Sequence, residues 1–197
     1  MSTIRYTTPK CLAQFPALLI PDTKFNPDGD FKVTAKFEGM TPALQELIDK
    51  LQGILDTFTQ QTVAEAKPMD KTKIRTAGFL DEDEGGNYYI KFKQKAIIKK
   101  RDGSIVNVKI AHFDAKGKPL LDVNVGRDSV IKIAFTATPY YMPTTKTCGL
   151  SLRPCAVQVI KLETGGTDAA SYGFEEEEGG YEAPEKPFDS LEEDQDF

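Results

Sequence analysis

The sequence has no long hydrophobic run. Its opening, Met1 to Lys10, lacks the apolar segment of a signal peptide, and nothing in it approaches the roughly 18 apolar residues of a membrane span. A cytoplasmic setting without membrane attachment is the expectation. Cysteine and histidine are scarce: Cys11, Cys148, Cys155 and His112 are the full set. An odd number of thiols without a CxxC pair argues against a disulfide framework and against zinc. Buried, inert thiols are expected, with no metal and no cofactor. GxxxxGKS/T, GxSxG and HExxH are all missing, which removes the usual phosphate-loop, nucleophile-elbow and zinc-protease chemistries. The acidic run Asp81 to Glu84 lacks the spacing of a calcium loop, and a nuclease needs carboxylates that converge on metal ions. The chain reads as a binding protein, not an enzyme.

Charge is abundant but divided. Residues 163–197 hold 13 acidic residues and one basic residue, Lys186, a net −12. The remainder holds 17 acidic and 24 basic residues, a net +7, so the overall −5 hides a basic body and an acidic tail. Opposite charge at the two ends of one chain points to nucleic-acid binding by the body and recruitment or self-screening by the tail. From Gly165 onward few aliphatic residues remain to offset the entropy of ordering. The expected organisation is a domain over 1–164 and a disordered acidic tail over 165–197.

The body alternates. Ala13 to Ile20 reads as a strand. Phe31, Val33, Ala35 and Phe37 alternate with Lys32, Thr34 and Lys36 in a second, half-buried one. Thr41-Pro42 opens a helix in which Leu44, Leu47, Ile48, Leu51, Ile54, Leu55 and Phe58 recur at helical spacing, running to about Ala66. That face is expected to pack on the sheet, with a partner-binding face as the alternative. In the next strand Ile90, Phe92, Ala96 and Ile98 share one side, and Tyr89, Lys91, Lys93 and Lys95 the other. Asp102-Gly103 marks a hairpin whose return strand is expected over 105–113. Leu120 to Val125 is a strand or loop and 126–129 a turn. Val130 to Thr138 is a strand, Pro139 to Pro143 a rigid aromatic loop, and Leu150 to Leu162 the last strand. The class is mainly β: an OB-fold-like, five-stranded barrel with one inserted helix.

The candidate site is the cationic, aromatic strand face. Holding a single strand needs cations for phosphates and flat side chains for bases. Lys91, Lys93 and Lys95 stand about 7 Å apart by strand geometry. Lys32, Lys36 and Lys109 extend the charge. Phe15, Tyr88, Tyr89, Tyr140 and Tyr141 are the candidate stackers. The competing reading is a solvated strand whose lysines only blunt an edge, and a Tyr140-Tyr141 pair with one ring buried. His112, inside a strand, is a structural histidine.

These pieces in this order resemble the bacteriophage single-stranded DNA-binding proteins of podophages. The similar stretches are Phe15-Pro16 to Pro21-Asp22, the helix from Pro42, Tyr89-Ile90-Lys91-Phe92-Lys93, Asp114 to Lys118, Gly126 to Ile133 running into Pro139-Tyr140-Tyr141, and the tail ending Asp196-Phe197. The resemblance implies an OB-fold that coats single-stranded DNA in replication, recombination and repair and promotes annealing. It implies Phe15 and Tyr140 as stackers and Lys91 and Lys93 as phosphate contacts. The tail, with Glu192, Glu193, Asp194, Asp196 and Phe197, would bind a replication polymerase and primase-helicase and compete with DNA. A homodimer and a host-cell cytoplasmic setting follow from the same resemblance. Met142 departs from it, standing where a further aromatic is expected. The remaining alternatives are a protein-interaction module with a basic face that never touches DNA, and a nuclease or annealing enzyme.

Overall fold

The alternation in the body is realised as ladders. The computed structural model describes residues 4–163, so the tail expectation over 165–197, with its partner-binding residues, lies outside the described residues. The elements are β1 Tyr6–Thr7, β2 Cys11–Asp22, β3 Asp30–Glu38, α1 Pro42–Glu65, α2 Pro68–Lys71, β4 Arg75–Thr76, β5 Leu80–Glu82 and β6 Asn87–Lys95. They continue with β7 Ile97–Lys99, β8 Ile105–Asn107, β9 Ala111–Phe113, β10 Val130–Met142 and β11 Thr147–Lys161. One sheet runs β4-β11-β10-β2-β3-β6-β5, with β1 added to β10 and β9 to β11. β6 also lies against β11 without a hydrogen-bonded ladder, so the five long strands β2, β3, β6, β10 and β11 curve round one core. The fold is mainly β, a small barrel of the OB type, with one long helix inserted between β3 and β6.

The core is what the apolar faces of these strands demand. Phe31, Val33 and Ala35 of β3, Ile90 and Phe92 of β6, and Ile131, Ile133 and Phe135 of β10 are buried together. Phe92 meets Phe135 edge to face at a centroid distance of 4.8 Å. The helix starts where the sequence marks it: the Thr41 hydroxyl accepts from the Leu44 amide at 3.2 Å and Pro42 fills the first turn. It stops at Ala66, where the chain turns extended just before the Lys67-Pro68 pair disfavours further helix. Leu44, Leu47 and Leu51 join the same core as the inward residues of β3 and β6, each burial contributing about 1.5–3 kcal/mol.

Several expectations are corrected. Pro139 to Met142 is not a loop: β10 continues through it, paired Pro139 to Leu150, Tyr140 to Gly149 and Tyr141 to Cys148. Past Phe135 the only ladder partner of β10 among the described residues is β11, a setting in which a proline's missing N–H is tolerated. The turn falls instead over 143–146. The hairpin return strand ends at Asn107. The chain resumes as β9, which joins β11 in parallel. Asp81 and Glu82 belong to β5 instead of a loop, while of the two readings of 120–125, strand or loop, the loop holds. The short elements β1, β4 and α2 gave no sequence signal. Cys11 and Cys148 are buried as expected, but Cys155 is half-exposed.

Candidate nucleic-acid interface

The antiparallel β3–β6 ladder sets the lysines in rows. Its register pairs Lys32 with Lys93, Thr34 with Lys91 and Lys36 with Tyr89, all on the face turned away from the core. Neighbouring strands are about 4.8 Å apart and alternate residues about 7 Å apart, so Lys32, Lys36, Lys91, Lys93 and Tyr89 form one compact patch. Lys95 closes it at one end, opposite Asp30. Lys109 lies outside the ladder, exposed in the connection between β8 and β9.

These cations are not bare. Lys91 pairs with Asp81 at 2.7 Å, Lys93 with Asp30 at 2.9 Å and Lys32 with Asp22, while Glu38 stands 4.0 Å from Lys36. The Asp22 carboxyl is held below its usual range chiefly by Lys32. For Asp30, burial pushes upward, but hydrogen bonds from Lys93 and Asn26 outweigh it and the carboxyl titrates low. Asp22 and Asp30 offset the cost of setting Lys32 and Lys93 directly opposite one another in the ladder.

The aromatic residues divide between two faces. Tyr89 is on the lysine face, its hydroxyl donating to Asp83 at 2.7 Å. Asp83 also accepts from the amides of Gly85 and Asn87 at 2.9 Å, and these bonds, led by that of Tyr89, lower its carboxyl to about 2. Tyr88 shares the parity of Ile90 and Phe92 and packs against the core, so it stands apart from the lysines. Its phenol is pushed up chiefly by the hydrogen bond to Glu82. Tyr140 is 39% exposed, and Tyr141 is half-buried. The Tyr140 ring lies across the bare Cα of its cross-strand partner: a Cβ on Gly149 would sit 2.6 Å from the ring's Cζ.

Phe15 sits on a β-bulge. From Gln14 to Ala17 β2 advances three residues, while its partner β3 steps back two, from Thr34 to Lys32. The buried positions accordingly switch from Cys11 and Ala13 to Leu18. The bulge turns the Phe15 ring outward, 69% exposed, beside the Lys32–Thr34 level of the lysine face. It holds Phe15 at a left-handed φ of 50°, which costs a bulky residue about 1–3 kcal/mol.

Sequence reasoning missed two cationic partners of rings. Arg127, read only as part of a turn, has its guanidinium 5.8 Å from the centre of the Phe15 ring. Phe25, at 85% the most exposed large apolar side chain among the described residues, has the Lys24 ammonium 5.4 Å from its ring centre. Its loop is fixed by Asn26, which donates to Gly29 and Asp30, and by the Lys24 amide donating to Asp22. The only available signal was an aromatic residue among turn formers.

Two further reactive side chains, Cys11 and His112, are buried. Burial pushes the Cys11 thiol up to about 12. Burial lowers the pKa of His112, whose Nδ1 lies 2.9 Å from the Ile110 carbonyl oxygen. No group of three or more potential metal ligands occurs among the described residues.

Fold and face together define an OB-type barrel with a lysine-rich, ring-bearing outer surface. The chain belongs to the family Single-stranded DNA-binding protein, Bacteriophage T7, whose model matches residues 7–162. The crystal structure of the single-stranded DNA-binding protein encoded by bacteriophage T7 superposes with a TM-score of 0.72 at 23% identity, covering 93% of this chain and 100% of that one. The single-stranded DNA-binding protein of bacteriophage Enc34 in complex with single-stranded DNA gives 0.50 at 9% identity, covering 81% and 88%. No curated protein matches the sequence.

Proposed function

We propose that this protein binds single-stranded DNA on the outer face of β2, β3 and β6, without a catalytic step. The observation that carries the reading is the gathering of Lys32, Lys36, Lys91, Lys93 and Tyr89 in one ladder face beside the outward Phe15, in a chain of this family. Phosphates would exchange onto the lysines as their aspartates return to water. Bases would stack on Phe15, Tyr140 and Phe25, each stack worth about 1–3 kcal/mol. Lys95, Lys109 and Tyr141 extend the path. Tyr88 supports it from the core side.

The division at 164/165 and the tail are part of the same proposal. The segment 165–197, with 12 acidic residues and one basic residue, competes with DNA for the lysine face. Once displaced, it offers Glu192, Glu193, Asp194, Asp196 and Phe197 to a replication polymerase and primase-helicase. The setting is the host cytoplasm, in replication and recombination. No helix among the described residues is long and apolar enough to cross a membrane.

Oligothymidylate titrations at several salt concentrations test this. Lys91→Ala and Lys93→Ala should each flatten the salt slope by about 0.7, and deleting 165–197 should raise affinity most at low salt. The pairing of ridge lysines with aspartates favours one rival, a protein-interaction module. No binding of oligothymidylate by the tail-deleted chain in dilute buffer would decide for that rival.

A further inference from the structure

We propose that Arg127 is a phosphate-binding residue that acts with the Phe15 ring as one clip on a nucleotide of single-stranded DNA, and that the buried Gln14 amide positions it. The inference rests on the DNA-binding reading above and adds to it residues that composition and strand patterning did not single out.

The geometry is that of a built site. Gln14 is only 6% exposed, and both ends of its amide are committed. Its Oε1 accepts from Arg127 Nε at 3.1 Å, and its Nε2 donates to Asp128 Oδ1. Asp128 Oδ2 stands 3.5 Å from Arg127 Nε. Two backbone bonds fasten the same junction: Ala13 N to Ser129 O at 2.9 Å and Asp128 N to Ala13 O at 2.8 Å. The Nε edge of the guanidinium is therefore occupied from below. Its terminal Nη groups have no hydrogen-bond partner among the described residues, and the side chain is 68% exposed.

Backbone conformation points the same way. Phe15, next to Gln14, and Asp128, bonded to Gln14, are two of the four non-glycine residues with positive φ among the described residues, at 50° and 65°. Phe15 also precedes Pro16, a position that favours extended backbone. A large apolar ring held outward in a disfavoured conformation, under a cation anchored by a buried amide, is a costly arrangement for a surface with nothing to bind. A guanidinium over one face of the ring, its Cζ 5.8 Å from the centroid, leaves the other face open to a base. Its fork of donors then lies beside the ring, where the phosphate of the same nucleotide passes.

The test uses the full-length chain and oligothymidylate at stepped salt concentrations. Arg127→Ala should lower affinity roughly tenfold, the scale of one charge-assisted hydrogen bond, and flatten the salt slope by about 0.7. Arg127→Lys should keep the slope but bind more weakly than the wild type, because an ammonium lacks the planar fork. Gln14→Leu should weaken binding in the wild-type background and not in Arg127→Ala. The chain has seven tyrosines and no tryptophan, so Phe15→Trp supplies a single tryptophan that can be excited to the red of the tyrosines and that bound oligothymidylate should quench. Wild-type slope and affinity in Arg127→Ala, or unquenched Phe15→Trp at saturation, would overturn the clip while DNA binding by the wild type stood. Failure of the wild type to bind would instead remove the functional reading beneath it.

Discussion

Lys32 of β3 and Lys93 of β6 stand directly opposite each other in the ladder, each held by its own aspartate, Asp22 and Asp30. Two like charges in that position repel, and the carboxylates make the pairing tolerable. The surface offered to a polyanion is thus a set of cations with exchangeable counterions, already fixed in place. This arrangement has consequences for affinity, for pH dependence and for the choice of residues around the rings.

Asp81 holds Lys91 at 2.7 Å, and both side chains are well exposed. Asp81→Asn should change folding stability by less than about 1 kcal/mol, as for other exposed pairs. It should strengthen oligothymidylate binding at low salt roughly fivefold, the equivalent of about 1 kcal/mol between charges 4 Å apart in water. Unchanged or weaker binding would show that Asp81 does not compete with the polynucleotide.

Asp83 organises the β5–β6 turn, and its carboxyl is lowered to about 2. A depressed carboxyl contributes stability that is fully present above its unfolded value of 3.8 and lost as pH falls through about 2. Asp83→Asn should therefore melt below the wild type at about pH 5, and the gap should close on acidification. Thermal unfolding of the two proteins over that range checks it. A gap that holds constant down to about pH 2 would assign the loss to shape instead of charge.

Phe15 carries a left-handed backbone. Phe15→Gly and Phe15→Ala both remove the ring, but only glycine adopts that φ freely. Glycine should be the more stable variant by about 1 kcal/mol in denaturant unfolding, while both lose affinity for oligothymidylate to the same extent. Equal stabilities would mean that the bulge relaxes without cost.

Gly149 gives the Tyr140 ring its resting place. Gly149→Ala should swing the ring off the strand and weaken oligothymidylate binding. No charge is touched, so the salt slope should stay as in the wild type. The same substitution made in Tyr140→Ala should have no further effect. An equal loss in both backgrounds would detach Gly149 from the ring's role.

The barrel was legible wherever local pattern sufficed. Thr41-Pro42 and the leucines at 44, 47, 51 and 55 announced α1, and Tyr89-Lys91-Lys93-Lys95 announced the outward side of β6. The two prolines that bracket Tyr140 and Tyr141 read as a loop, and the partner that extends the strand, Gly149, is silent in sequence. The counterions were hidden for the same reason: Asp22, Asp30 and Asp81 meet their lysines only through the ladders. Gln14 and Arg127 lie 113 residues apart, a separation that no periodicity spans.

The leucines of α1 enter the barrel core, and the helix packs chiefly against β10 and β11 instead of the lysine-bearing strands β3 and β6. The solvent side of the helix, where Gln45 and Gln52 bond only to Asp49 and Asp56 one turn on, is accordingly the natural attachment point for a dye or a surface tether. A molecule immobilised there is held through an element that carries none of the ladder lysines, which stay available to a free polynucleotide end.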